Sequence, residues 1–456
     1  MNRTIVIGAG VSGLALSHRL LSLNPDLDLT VLEASTRAGG LILSERKEGF
    51  LYECGPETVI DDGSGLNGLV DELGLAARSQ LADPVVKNRY IVHKGKLAAL
   101  PGGPGSAIRT PLLGIGEKLR ILGEPFRKRG TDEEESFGSF IARRFGPAVL
   151  ERLAEPFASG IYAGVPERME MASCFPKIWK AEREYGSVIR GMGKMAKARR
   201  KAGEERRKMA TISFDEGNRV LVEAMVESLG DRLRLDTPVQ SIHPLPQGGF
   251  RVELSQGEAL ECDTLVVAAP APKAKTLFAE DFPGISQELD SIVFLNLVSI
   301  HLALDKKDVP DHLRGFGFLI PRQESHSPVL GCLYSSQIFA GRAAPDQRLF
   351  RLLLGGARNP DFDPTDLPSH VEAALSTFAT LTGIETQPRL LHHQVWPQAL
   401  PLYEPGHQSR LARLTALTQA HEGLYLTGVS YAGSSVPRCI ENARALAERI
   451  AQALPR

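Results

Sequence analysis

Val6-Ile7-Gly8-Ala9-Gly10-Val11-Ser12-Gly13 joins an apolar strand predicted over 3–7 to a helix predicted over 11–23. A second strand, over 29–32, then ends at Glu33. A G-x-G-x-x-G string is weak evidence by itself. Between a strand and a helix, with an acid about twenty residues further on, it is the fingerprint of a dinucleotide-binding βαβ unit. Gly8 permits the tight turn, Gly10 lets main chain approach a pyrophosphate, and Gly13 lets the helix pack closely on the sheet. The helix N-terminus adds partial positive charge and free amides, which draws Ala9, Val11 and Ser12 into the candidate site. Glu33, with Ala34 beside it, is placed to accept a hydrogen bond from a ribose hydroxyl.

The residues that follow select the dinucleotide. Glu33-Ala-Ser-Thr-Arg37-Ala-Gly39-Gly40-Leu41 resembles the R-x-G-G signature of flavoprotein amine oxidases and their relatives. An arginine at this place can neutralise phosphate, and paired glycines let backbone lie against the cofactor. Arg37, Gly40 and Leu41 are therefore candidate contacts, and FAD is expected rather than NAD. At the other end of the chain, a short strand over 423–428 reaches Gly428. A small-residue loop over 430–436 follows, carrying Ser434, Ser435 and Val436, and a helix is predicted over 440–454. This strand, glycine turn and helix would bring a second helix N-terminus to the flavin. The loop contains no cysteine, so one non-covalent FAD per chain is expected.

Composition excludes more than it selects. The 456 residues carry a net charge of −1, which gives no general electrostatic case for nucleic acid. The five cysteines, Cys54, Cys174, Cys262, Cys332 and Cys439, form no C-x-x-C, and the histidines show no metal spacing, so no metal site is expected. No apolar run has the length of a transmembrane helix. The sequence opens directly on the first strand, and a cytoplasmic enzyme is the expectation, with a homodimer as the candidate assembly.

The texture of the chain changes along its length. Residues 1–85 alternate short strands, helices and glycines, as the first part of a cofactor domain should. A strand region over 86–104 leads into a helical excursion over 105–209, whose last third is strongly basic. The α/β texture returns over 210–280, as a second part of the cofactor domain. Apolar strands over 295–304 and 348–354 mark a substrate domain over 281–400, and 401–456 closes the cofactor domain. The expected fold class is α/β, with a discontinuous Rossmann-like FAD-binding domain, a mixed-sheet substrate domain and a helical excursion.

Several separated strings carry a more specific resemblance. They are Glu53-Cys-Gly55-Pro56-Glu57-Thr58, Lys87-Asn-Arg89-Tyr90-Ile91 followed by Pro101, Gly160-Ile-Tyr-Ala-Gly164, Cys174-Phe-Pro176 with Ala181-Glu-Arg-Glu184, Gly315-Phe316-Gly-Phe318-Leu-Ile-Pro321, Trp396 to His407, and Gly428-Val-Ser-Tyr-Ala-Gly433 with Cys439-Ile-Glu-Asn442. In this order, over essentially the whole chain, they resemble the oxygen-dependent protoporphyrinogen oxidase family. The resemblance implies an enzyme that removes six electrons from a porphyrinogen through FAD, with dioxygen as acceptor and hydrogen peroxide as product. The flavin carries that chemistry, so no catalytic acid–base pair is expected of the protein.

By the same resemblance Gly55, Pro56, Glu57, Thr58, Val239 and Trp396 join the FAD contacts. Arg89 aligns with the family arginine that meets a propionate, where a guanidinium can make two parallel hydrogen bonds. Gly160 would let a flat ring pass over backbone, and Val298, Phe316 and Phe318 would be apolar walls. The basic run over 190–208, with Leu112, Leu113, Ile115 and the stretch 119–126, suggests peripheral contact with the cytoplasmic face of a membrane. Three readings compete: a coproporphyrinogen oxidase of the same family, an amine oxidase or desaturase sharing the cofactor domain, and a non-catalytic flavin or porphyrin carrier.

Overall fold

The computed structural model describes residues 3–61, 65–86, 88–201 and 210–453. The architecture is α/β, and its centre is a five-stranded parallel sheet. The strand Arg3–Ile7 lies in the middle, between Asp28–Leu32 and Thr264–Val267, with Leu233–Arg234 and Leu424–Leu426 at the edges. Every residue of Thr264–Val267 is buried, as expected for a parallel strand covered on both faces. The chain thus enters this sheet in three passes separated by long excursions. The helices Val11–Leu23 and Arg219–Leu229 and the C-terminal helix Val436–Ala453 share one core on one face. An antiparallel sheet of Val239–Pro244, Phe250–Leu254 and Ala259–Cys262 covers the other face, in a second core.

A seven-stranded mixed sheet forms the second layer. Its long strands, Phe294–Asp305 and Arg389–Pro401, pair antiparallel, and Arg89–His93 joins through a parallel pairing with Gly317–Leu319. Side chains alternate across it with the strand period. Val298, Ile300, Leu302, Phe318, Phe350 and Leu352 enter a core against the helix Leu367–Thr382. Leu297, Leu330 and, in part, Leu353 and Trp396 pack on the opposite face with residues of the helical excursion. That second face also meets Cys54, whose carbonyl accepts from Ser299, Arg351 and Trp396.

The helical excursion includes Ile115–Leu122, Phe137–Arg144, Glu155–Tyr162, Pro176–Tyr185 and Val188–Lys201. Buried charges tie it together. The Arg144 guanidinium, fully buried, pairs with the equally buried Glu124 and Glu182, and Arg143 bridges Glu135 and Glu182. The apolar patch expected here needs one correction. Leu112 and Leu113 are buried, because the turn that carries them folds inward. The rest of the expected patch, Ile115, Leu119, Leu122 and Phe126, projects into solvent together with Ile108, each at least 62% exposed. Of the expected basic run, Arg190 to Lys201 lies on an exposed helix, while Arg206, Arg207 and Lys208 fall outside the described residues.

Candidate functional site

The glycine turn has the geometry its spacing implies. Gly8 adopts φ +105°, a conformation that L side chains rarely reach. A Cβ on Gly13 would lie 1.9 Å from the Gly8 carbonyl oxygen, so the helix could not sit this close with any other residue there. Gly10 is different: a Cβ there would meet no atom of the described residues within 4 Å. It opens the helix Val11–Leu23 with no side-chain cap, which leaves the first-turn amides without intrahelical partners. Open space above a glycine, faced by uncapped amides at a positive helix end, is the cradle a pyrophosphate requires.

Glu33 stands at the lip of this cradle. One carboxylate oxygen accepts the Ala9 amide at 2.7 Å and the other accepts the Ser35 amide at 2.9 Å. An ionised carboxylate has about four acceptor positions, so each oxygen keeps capacity for a hydroxyl donor. Ala34 is exposed next to it. The segment 39–41 lies across the turn: the Gly39 amide donates to the Ala9 carbonyl at 2.8 Å, and a Cβ on Gly40 would approach Gly10 Cα at 3.3 Å. Arg37 donates to the carbonyls of Ala38, Gly40 and Ile42. It fixes the shape of its own loop, a local role that the reading of Arg37 as a phosphate partner did not include.

A second wall comes from Gly55, Pro56, Glu57 and Thr58. A Cβ on Gly55 would fall 1.7 Å from the Leu41 carbonyl oxygen, so this glycine serves close packing of two loops. The Pro56 carbonyl is held by the Asn218 side chain at 2.7 Å. Glu57 is only 4% exposed, and its carboxylate faces the Arg351 guanidinium at 3.4 Å. It is an internal ion pair rather than a free cofactor contact. The Cys54 carbonyl is the hub of the region, accepting from Trp396 Nε1 at 2.7 Å, Arg351 at 3.2 Å and Ser299 at 3.3 Å. Trp396 thereby links the substrate sheet to the cofactor layer.

Beside that hub, Glu53 is buried and receives Ser44 Oγ, the Asn218 amide and the Arg342 guanidinium, the last at 3.1 Å. Burial pushes its carboxyl up to about 7, against the opposing pull of Arg342. Arg342 and Arg351 went unremarked in the sequence because their carboxylate partners lie almost 300 residues away. At the C-terminal end Gly428, φ +116°, comes within 3.9 Å of Ser12 Oγ, as measured from the position of a Cβ. Ser434 and Val436 are half-buried and Ser435 is exposed, its carbonyl accepting the Cys439 amide. Both fingerprint ends therefore meet over one cradle. Val239 starts a strand and packs against the second core.

On the substrate side, Arg89 is exposed and its guanidinium lies over the Phe316 ring at 4.3 Å. Alternation places it on the sheet face opposite Tyr90 and Val92, both of which enter the outer core. Two expectations change. Val298, fully buried, and Phe318, 2% exposed, belong to the core against Leu367–Thr382, so their side chains point away from the cofactor layer. Pleating decides this: Leu297 and Leu319 hold the inward positions. Gly160 also differs, since a Cβ there would strike a Leu319 methyl at 2.3 Å. It lets the helix Glu155–Tyr162 approach that leucine, and does not leave open backbone for a ring.

Comparison with known proteins agrees with this arrangement. The family described as flavin containing amine oxidoreductase matches residues 11–451. The chain is 31% identical to protoporphyrinogen oxidase 1, chloroplastic, of Arabidopsis thaliana, over 96% of this chain and 86% of that one. It is 27% identical to coproporphyrinogen III oxidase of Bacillus subtilis (strain 168), over 97% of this chain and 96% of that one. A crystal structure of a candidate protoporphyrinogen oxidase from Exiguobacterium sp. 255-15 superposes with a TM-score of 0.81 at 25% identity, covering 99% of both chains. The chain belongs to the flavin-containing amine oxidoreductases, within them to the protoporphyrinogen oxidase family, and is an FAD-dependent oxidoreductase.

Proposed function

We propose that this enzyme oxidises protoporphyrinogen IX to protoporphyrin IX, taking six electrons with one non-covalent FAD per chain and passing them to dioxygen, which leaves as hydrogen peroxide. The observation that carries the reading is Arg89: an exposed guanidinium above an aromatic ring, on the sheet face it shares with Leu319. A porphyrinogen is a large apolar macrocycle with a carboxylate edge. It fits an apolar surface with a cation at its rim. Phe316, Leu319 and Trp396, all half-buried, would supply that surface, and Arg89 would hold a propionate.

Gly8 to Gly13 would hold the pyrophosphate of FAD, Glu33 its ribose, and the loops at 39–41, 55–58 and 428–436 would enclose the rest. The flavin, when bound, supplies the two-electron oxidation chemistry. The protein orients the macrocycle and keeps water from it. A soluble carrier would need no such junction between a substrate sheet and a cofactor cradle.

Relatives named for coproporphyrinogen make the tetracarboxylate the second reading. Coproporphyrinogen would call for further cations, and Arg89 is the cation on this face that the resemblance identifies. The test compares porphyrin fluorescence from the purified yellow protein under air with each porphyrinogen. Preference for the dicarboxylate is expected; equal or reversed rates would replace the substrate assignment. Membrane contact through Ile108, Ile115, Leu119, Leu122 and Phe126 accompanies this proposal, with cations of Val188–Lys201 nearby: Arg190 lies over the Phe126 ring at 5.3 Å. No helix among the described residues is long and apolar enough to cross a membrane.

A further inference from the structure

Behind the second wall of the flavin cradle, three side chains of different chemistry converge where the hairpin Ser44–Lys47/Phe50–Glu53 meets the strand Arg389–Pro401. The ligand atoms of Glu45, Cys54 and His392 all lie within 4.8 Å of one another. Cys54 is fully buried, while Glu45 and His392 are half-buried and leave a way in from solvent. Their surroundings are unusual for a packed core. Nε2 of His392 is buried with no hydrogen-bond partner among the described residues, and so is Nδ1 of the fully buried His301. The Tyr52 ring packs beside both imidazoles, 5.2 Å from His392 and 4.9 Å from His301, and its hydroxyl donates to Glu45 at 3.2 Å.

We propose that Glu45, Cys54 and His392 form a site for a borderline divalent transition-metal cation, of which Zn²⁺ is the type. A thiolate, an imidazole and a carboxylate are the ligand types such an ion selects. Bond lengths of about 2.0–2.3 Å in a tetrahedron separate ligands by roughly 3.5 Å, so small rotamer movements close the set. His392 Nε2, with no hydrogen-bond partner among the described residues, can act as the imidazole ligand. Tyr52 would orient the Glu45 carboxylate from outside, as groups behind metal ligands commonly do. Water completes the fourth position. Binding releases the Cys54 thiol proton to solvent and forms one metal–sulfur bond, with no change of oxidation state.

The ion would pin the cofactor-side hairpin to the substrate sheet close to Trp396, whatever the substrate is. Metal-free, flavin-loaded protein titrated with Co²⁺ should bind one ion per chain and develop a near-ultraviolet thiolate-to-cobalt charge-transfer band. Cys54→Ser should abolish the band, and His392→Gln should weaken binding at least about tenfold. Flavin content and circular dichroism report whether each variant is folded. Should Cys54→Ser fail to fold, X-ray absorption at the zinc edge of the unaltered, zinc-loaded protein decides the matter. One sulfur neighbour at about 2.3 Å supports the site, and a shell of oxygen and nitrogen alone overturns it. A band that survives Cys54→Ser, or no band at all, overturns it equally.

Discussion

A Cβ on Gly13 would sit 1.9 Å from the Gly8 carbonyl oxygen, whereas one on Gly10 would meet no atom of the described residues within 4 Å. The two positions should therefore fail differently. Gly13→Ala forces backbone apart and should lower stability as well as flavin content. Gly10→Val should leave the fold intact and remove the flavin, because its side chain enters only the space reserved for phosphate. Circular dichroism and flavin absorbance of the purified variants separate the outcomes; a Gly10→Val protein that stays yellow would place the pyrophosphate elsewhere. For Arg89, loss of a charge-assisted bidentate contact costs about 1.5–3 kcal/mol, so Arg89→Ala should lower kcat/KM roughly tenfold to a hundredfold, mainly through KM. Arg89→Lys should recover part, since the charge remains without the planar fork. Esterified propionates should erase the difference. Equal losses on free and esterified substrate would make Arg89 a structural residue, and Lys87, outside the described residues, the next carboxylate partner to test.

The helix Ile115–Leu122 buries none of its residues, although Ile115, Leu119 and Leu122 lie at helical spacing on one stripe. An apolar stripe left in solvent calls for a partner, and cations stand nearby on Val188–Lys201. Changing Ile115, Leu119 and Leu122 together to Ser should reduce co-sedimentation with anionic vesicles by at least about tenfold at low salt. Raising ionic strength should weaken the unaltered protein's binding as well. An unaltered protein that stays in the supernatant would leave this face without a lipid role. The sequence disclosed the βαβ unit and its glycines because those signals are local and periodic. It disclosed less of the substrate sheet. Val298 and Phe318 read as walls because an apolar strand buried on both faces does not show which face is which. The long strand Arg389–Pro401 carries His392, His393 and Pro397 and has an irregular register, so its period is blurred. The carboxylate partners of Arg342 and Arg351 come together only through the tertiary fold.

At the scale of the molecule, burial makes the fold sensitive to acid. His407 is 1% exposed, stacked on Tyr403 with ring centroids 4.5 Å apart, and neither ring nitrogen has a hydrogen-bond partner among the described residues. Burial, helped by Arg410, pushes its imidazole down to about 4. Between pH 6.5 and 4 the unfolded chain takes up a proton here that the native protein refuses, so this contribution is complete above pH 6.5 and fades as pH falls. Urea unfolding should show an acid loss about 3 kcal/mol larger in the unaltered protein than in His407→Phe. Identical pH profiles would mean that His407 is protonated in place. The three-pass parallel sheet has a consequence for biosynthesis. Thr4 pairs with Thr264, and Leu265 in turn with Leu424, so the strand bearing the glycine turn remains an open edge until most of the polypeptide has left the ribosome. Such pairings carry high loop-closure entropy and form slowly. Cofactor uptake should therefore be late, because the cradle also needs the loop at 428–436, and a nascent chain exposes one edge of this strand to chaperones for more than half of its synthesis.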